Sequence, residues 1–439
     1  MSPIDFLPIL LENIHIYVIL LIIFTLLYLP VIRRTVYNVF DPFLIILVGS
    51  VFGTTLVFYM YWTNLIEDVY FFSFVSTELS FIFSIMLFSK SRSTALRTFE
   101  ISSNRSFFRP RLVRYKLIFF ISCALYFFTT ILIYHINGIP ILKVSRLGGF
   151  VGSGGLGIIE RINDVSIMLA TISMFIIYKC RGSNFSLYKI VIFLASIIML
   201  ITFLLSGAKG KILIFSTAWF FSVFVFNLYD SKPSFFNGRN GVISLFFFII
   251  FALSVISMSS KGSFIDIIGA LAFRVVNFGD VFIWAYLDNT IEELSGSDWF
   301  YGLFGGFLSV FRLLSPNDIY MPIGQQLPLI IYPELDYISG PNAKHNIVFY
   351  HYFGGYAFLF SFFVGYIISF VRYDLFNKIL YKHGSFGVML YYLIYWSLGV
   401  MSVDFDYSLS LLASVILVFP IIFFLTVLFD VNYSRGKKV

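Results

Sequence analysis

Residues 340 to 352 read Gly340-Pro341-Asn342-Ala343-Lys344-His345-Asn346-Ile347-Val348-Phe349-Tyr350-His351-Tyr352, and they place amides, an ammonium and two imidazoles at the mouth of an apolar run. Each polar group taken out of water costs free energy unless it is paired, so a plain lipid-facing helix end has no use for this set. An imidazole whose ordinary pKa is about 6.5 suits proton transfer near neutral pH, which makes His345 a candidate base. The alternative is a histidine satisfied at a helix end. A second polar interruption, Ser206-Gly207-Ala208-Lys209-Gly210-Lys211, sits between two apolar runs, where glycine and small residues let Lys209 and Lys211 approach a backbone and hold an anion. The same lysines would also suit a tight turn with their ammonium groups reaching the interface.

A third set lies on residues 264 to 290, an apolar stretch of helical length carrying Asp266, Arg274, Asn277, Asp280 and Asp288. At helical periodicity these five fall within an arc of about 120°. A stripe that narrow faces a cavity, as ionisable groups at membrane depth usually do, or it faces water from an interfacial helix.

The elements that must position these residues follow from composition. Hydrophobic residues make up 59% of the 439 residues and charged ones 12%, and mean hydropathy is +0.91. A soluble domain would carry roughly twice that charged fraction. The chain is therefore expected to be an all-α polytopic membrane protein forming a single integral membrane domain over residues 1–439. Apolar runs at 14–32, 42–62, 69–89, 117–135, 164–178, 190–206, 212–229, 241–258, 347–370, 386–403 and 408–429 give about eleven spans, up to about thirteen, each matched to a hydrocarbon core of about 30 Å. No dyad alternation of the kind a membrane barrel shows is visible. The first run lacks a basic start and a small-residue cleavage site, so it is expected to stay as an anchor. Two cysteines, Cys123 and Cys180, are too few for a disulfide framework or a cysteine-rich metal site. The net charge of +7 is not a nucleic-acid signal.

Alternating the loops places 21 of the 30 Lys and Arg residues on one side, which the positive-inside bias makes cytoplasmic. The cluster between residues 90 and 116 then anchors the chain on anionic lipid. The other basic residues, Lys143, Arg146, Arg161, Lys209, Lys211, Lys261, Arg274, Arg312 and Lys344, run against the bias and are candidates for a ligand. Two outward segments exceed plain turns. Residues 136–163 include Gly148-Gly149 and Gly152-Ser153-Gly154-Gly155 and end in Glu160-Arg161; the glycine spacing fits no nucleotide fingerprint, leaving a mobile lid or a tether. Residues 259–346 form the largest break in the hydrophobic pattern, with Trp299 to Leu314 as its one apolar candidate for a return span.

Taken together, Ser206-Gly207-Ala208-Lys209-Gly210, Phe273-Arg274 with Gly279-Asp280, the long outward loop, and Gly340-Pro341-Asn342 with His345 and Tyr352-Phe353-Gly354-Gly355 resemble the Wzy-type O-antigen and capsule repeat-unit polymerases. The resemblance covers most of the chain by topology, through short motifs. It implies a bacterial inner-membrane enzyme, with an architecture related to the O-antigen ligases and GT-C-like folds, that joins undecaprenyl-diphosphate-linked oligosaccharide units on the periplasmic side. It implies Lys209, Arg274, Arg312 and His345 as active-site positions, with arginine more usual where Lys209 stands. Its partners would be the lipid-linked oligosaccharide, membrane lipid, and a flippase and chain-length regulator of the same pathway.

Such a reaction has a sugar hydroxyl attack the anomeric carbon of the growing chain while undecaprenyl diphosphate departs. The leaving group is already activated, so neither metal nor other cofactor is expected. The site must supply positive charge for the diphosphate and a base for the hydroxyl. Arg274, Lys209 and Arg312 suit the first role, with Lys344, Asn342, Arg161 and Lys211 as further substrate contacts; His345 or Asp280 suits the second. Asp280 equally could pair with Arg274. Trp299, Tyr301, Tyr320, Tyr332 and Tyr337 could stack on sugars or form an interfacial belt. Other readings remain open at this level: an O-antigen ligase acting on lipid A core, a lipid-linked oligosaccharide flippase, which should show two similar halves, and a hydrolase using Glu334 and Asp336.

Overall fold

The computed structural model describes residues 3–37, 41–90, 112–142, 157–180, 187–206, 279–296, 298–315, 320–334, 340–375 and 384–436, with single positions between 214 and 221 and at 318 and 378. Its helices are α1 (Pro3–Glu12), α2 (Ile14–Thr35), α3 (Pro42–Trp62), α4 (Asp68–Phe88), α5 (Leu112–Asn137), α6 (Gly157–Cys180), α7 (Leu187–Leu205), α8 (Asp280–Tyr286), α9 (Trp299–Val310), α10 (Ile323–Ile331), α11 (His345–Phe353), α12 (Ala357–Ser369), α13 (Gly384–Gly399) and α14 (Phe405–Gly436). No strand occurs among the described residues, so the expected all-α class holds. Seven stretches among them are long and apolar enough to cross a membrane. The expected spans at 212–229 and 241–258 lie largely outside the described residues.

The chain divides into two compact units, one made of Met1–Arg92, Phe264–Asp374 and Ser397–Leu411, the other of Ser93–Ser263, Leu375–Trp396 and Leu412–Val439. In the first unit α2 keeps much of its apolar surface exposed, with Leu26 and Leu27 both above 60%. In a spanning helix that face is the one lipid covers. α3 starts on Asp41, whose carboxylate accepts from the Phe43 backbone N–H at 3.0 Å and is followed by Pro42, both standard helix-start chemistry.

The run expected to cross at 347–370 does not do so as one helix. α11 stops at Phe353, Gly354 turns the chain at φ +50°, and α12 folds back alongside. The Phe353 and Phe360 rings stack with centroids 3.6 Å apart, and His345 Nδ1 lies 3.0 Å from Ser361 Oγ. Sixteen residues of continuous helix would separate that last pair by about 24 Å. A φ of this sign is open to glycine at little cost, so Gly354 allows the turn. The crossing element is therefore α12 with the π-helical turn Phe370–Leu375 that extends it. Gly365 lets α12 lie against α4, since a Cβ there would stand 2.7 Å from the Phe81 carbonyl oxygen.

Two further expectations change. The helix read over 264–290 ends at Tyr286 in its described part, because Asp288 and Asn289 take φ of +54° and +56°; residues 264–278 lie outside the described set. Asp288 thereby leaves the polar stripe. The segment that follows joins the end of the unit that carries the α3–α4 turn: Tyr70 Oη donates to Glu292 Oε1 at 2.8 Å, and Asn289 Nδ2 donates to Glu67 Oε1 at 2.8 Å. α9 has 12 residues and reaches about 18 Å, too short for the return span considered at Trp299–Leu314.

Within the second unit, Glu160 and Arg161 stand on the first turns of α6 rather than in a loop. Asn163 ties α6 to α5 through donations to the Tyr126 carbonyl, Thr129 Oγ1 and Thr130 Oγ1 at 2.8 to 3.2 Å.

Candidate functional site

Glu78 is the centre of the described polar chemistry. It lies halfway along α4, about 15 Å from either end, and is 5% exposed. Tyr28 Oη on α2 donates to its Oε1 at 2.8 Å and lies 3.0 Å from Thr54 Oγ1 on α3. Asn346 Nδ2 donates to its Oε2 at 3.2 Å and to Thr77 Oγ1 at 2.9 Å. His345 Nε2 stands 3.8 Å from Oε2, and the imidazole packs on Phe81 with centroids 4.7 Å apart. A carboxylate at that depth needs these donors, since an unpaired one would carry a large desolvation cost.

The segment that delivers Lys344 and His345 is set by close backbone packing. Gly340 and Pro341 run against Gly324 of α10, where a Cβ on either glycine would overlap the other strand of backbone. Lys344 then precedes α11 in an extended conformation. Its ammonium donates to the Gly49 carbonyl at 3.1 Å and sits 5.4 Å from the centroid of the Phe282 ring on α8. Glu78 and Asp280 both lie close enough to attract its charge. Gly53 leaves the room, its Cα side facing the ammonium and Phe282. Gly279, which precedes Asp280, packs directly on Gly53, where a Cβ would stand 3.1 Å from the Gly53 Cα. Lys344 is thus brought near Asp280 and Glu78, and His345 near Glu78.

His345 is enclosed at 2% exposure. Its backbone N–H donates to the Ser402 carbonyl at 3.4 Å. Ser361, His345 and Glu78 have the connectivity of an acyl-transfer triad, but Ser361 is fully buried and reaches no solvent from which an acyl donor could arrive. With a carboxylate beside Nε2, the neighbours favour the tautomer that bears hydrogen there, leaving Nδ1 to accept from Ser361.

Of the other expected contacts, Asn342 is exposed next to this segment, and Arg312 is exposed at the end of α9 in the left-handed region, φ +56°. Arg161 belongs to the second unit and donates to Ser414 Oγ at 3.2 Å. Lys209, Lys211 and Arg274 lie outside the described residues, as do Asp336 and Tyr337; Glu334 is exposed.

A second group of polar residues surrounds the far end of α11. Asp406 Oδ1 accepts the Gly306 backbone N–H at 3.1 Å, and Gly302 and Gly306 leave α9 bare where Tyr352 and Asp406 approach it. His351 Nε2 faces the Gly296 carbonyl at 3.4 Å. In the turn before α14, burial pushes the Asp404 carboxyl up to about 7; the Tyr407 N–H opposes this and neighbouring Asp406 adds to it. Trp299, Tyr301 and Tyr320 are exposed nearby in sequence. By contrast, an apolar groove of about 490 Å³ in the second unit, lined by Phe175, Phe193 and Trp219 among others, offers one serine and no acid or amine.

Glu78, Ser361, Asp404 and Asp406 are the polar residues that reading the sequence missed. For Glu78 a signal existed: a lone acid in the middle of an apolar span marks function by default. For Ser361 none did, because its role depends on the fold-back at Gly354. No protein-family model, curated protein or solved structure matches this chain.

Proposed function

We propose that this protein is a membrane glycosyltransferase that polymerises undecaprenyl-diphosphate-linked oligosaccharide repeat units into O-antigen or capsule polysaccharide on the periplasmic face of the bacterial inner membrane. The observation that supports the reading most is the approach of Asp280 and Lys344 beside the start of α11, where His345 also stands; of these three the sequence resemblance singles out Asp280 and His345. Lys344 compensates charge on the departing diphosphate, the role that the sequence resemblance implies for Lys209, Arg274 and Arg312. The acceptor sugar hydroxyl loses its proton as its oxygen bonds the anomeric carbon and the diphosphate leaves with the electron pair. That proton goes to His345, whose ring nitrogens face Ser361 and Glu78, or to Asp280. The exposed aromatic side chains Trp299, Tyr301 and Tyr320 offer faces for sugars.

The test is the polysaccharide of a deletion strain together with purified protein supplied with lipid-linked repeats. A polymerase loss leaves a single repeat on lipid A, whereas absence of any repeat there points to a ligase and trapping of the unit inside points to a flippase. In the purified system, Asp280→Asn should lower transfer by about 10² to 10⁴-fold, and full turnover in that variant would remove Asp280 from the chemistry.

A further inference from the structure

Glu78 is paired too completely to be an accident of composition. Both carboxylate oxygens are engaged by side chains from two other helices, Tyr28 and Asn346, while His345 and Lys344 face the same group. Three of these four, Lys344, His345 and Asn346, are consecutive. They form the start of α11, so Glu78 holds that start through the Asn346 side-chain amide and stands beside the His345 ring.

We infer that Glu78 is a positioning residue: its carboxylate seats the start of α11 through Asn346 and His345, and attracts the Lys344 ammonium so that this cation is held on the Gly49 carbonyl beside Phe282. The functional half of this inference rests on the glycosyltransferase reading; the structural half does not. Asp280 supplies the second negative charge near Lys344, so removing Glu78 leaves the cation partly balanced and its direction changed.

The amide isostere separates hydrogen bonding from charge. In Glu78→Gln the new amide oxygen still accepts from Tyr28, and its N–H can donate to Asn346 Oδ1, which has no partner here, after a flip of the Asn346 amide. Glu78→Asp keeps the charge and shortens the reach. The first measurement uses the full chain in detergent and needs no activity: thermal unfolding of Glu78→Gln, Lys344→Met and the double variant. Each single change should lower the melting temperature by several degrees, and the double variant should lose clearly less than the sum of the two because the Glu78 charge and its opposite are then removed together. Additive losses would overturn the charge-balance claim. The second is turnover with lipid-linked repeats. Glu78→Gln should reduce kcat by about 10-fold or more with KM for the donor little changed, and Glu78→Asp should restore most of it. Coupled melting temperatures with normal kcat in folded Glu78→Gln would overturn the positioning role alone, while an inactive wild-type protein would overturn the glycosyltransferase reading and leave the coupling result standing.

Discussion

The fold-back at Gly354 makes a distance prediction that a continuous span cannot meet. Phe353 and Phe360 are seven residues apart, a rise of about 10.5 Å along one helix, yet their rings stack with centroids 3.6 Å apart. After the native Cys123 and Cys180 are replaced by alanine, cysteines at Phe353 and Phe360 should be joined by a bis-methanethiosulfonate reagent shorter than that rise, each thiolate displacing one sulfinate. A pair at Phe360 and Ile367 has the same spacing within the single helix α12 and should not be joined. Losing the stacked rings removes about 0.5 to 1.5 kcal/mol beyond the area they bury, which a well-packed hairpin tolerates. Joining would be read for both pairs by mass spectrometry of the purified protein, since one reagent bridging two cysteines adds a different mass from two reagents capping them singly. Equal joining of both pairs, or of neither, would refute the hairpin and with it the placement of His345 beside Ser361.

Three other outcomes follow from named contacts. Arg372 is 5% exposed and grips Asp41 with two hydrogen bonds of 2.9 and 2.7 Å over the face of Phe43; Arg372→Ala should cost about 3 to 5 kcal/mol by stranding the Asp41 carboxylate, seen as loss of folded protein, and normal yield and melting temperature would contradict it. The Asp404 carboxyl is raised in the folded state from an ordinary 3.8 to about 7, so the folded form holds that proton more tightly and stability should fall as pH rises from about 4 to 7. Asp404→Asn should flatten that decline in detergent melts and exceed the wild type at pH values above the window; an unchanged pH curve would refute it. In the proposed orientation, which rests on the distribution of basic residues, a cysteine at exposed Trp299 should react with an impermeant reagent from the side of the membrane opposite the basic loops. Reaction only after that membrane is opened would invert the orientation.

Most of the long helices were legible because lipid demands one thing of them, a run of about twenty apolar residues with the backbone bonded internally. α2, α3 and α4 fall within three residues of the runs read from hydropathy at both ends. Hydropathy has no access to direction, however. The residues of α11 and α12 are as apolar as one span, and only the left-handed Gly354 and the stacked phenylalanines convert them into a hairpin. Likewise the periodicity that carried a helix through residue 290 could not register the two successive positive φ values at Asp288 and Asn289.

The polar motif shows the same division. Gly340, Pro341, Lys344 and His345 stood out because each is costly in an apolar setting, and the structure gives each a reason: glycine against Gly324, an ammonium on the Gly49 carbonyl, an imidazole between Ser361 and Glu78. What spacing could not supply was the partner, since Glu78 precedes this motif by more than 250 residues and belongs to another helix. The partner changes the chemistry assigned to the motif. His345 alone at a span mouth reads as a base open to substrate; His345 enclosed between a serine and a carboxylate has both ring nitrogens engaged inside the fold, and the buried carboxylate is the group that Asn346 and His345 share.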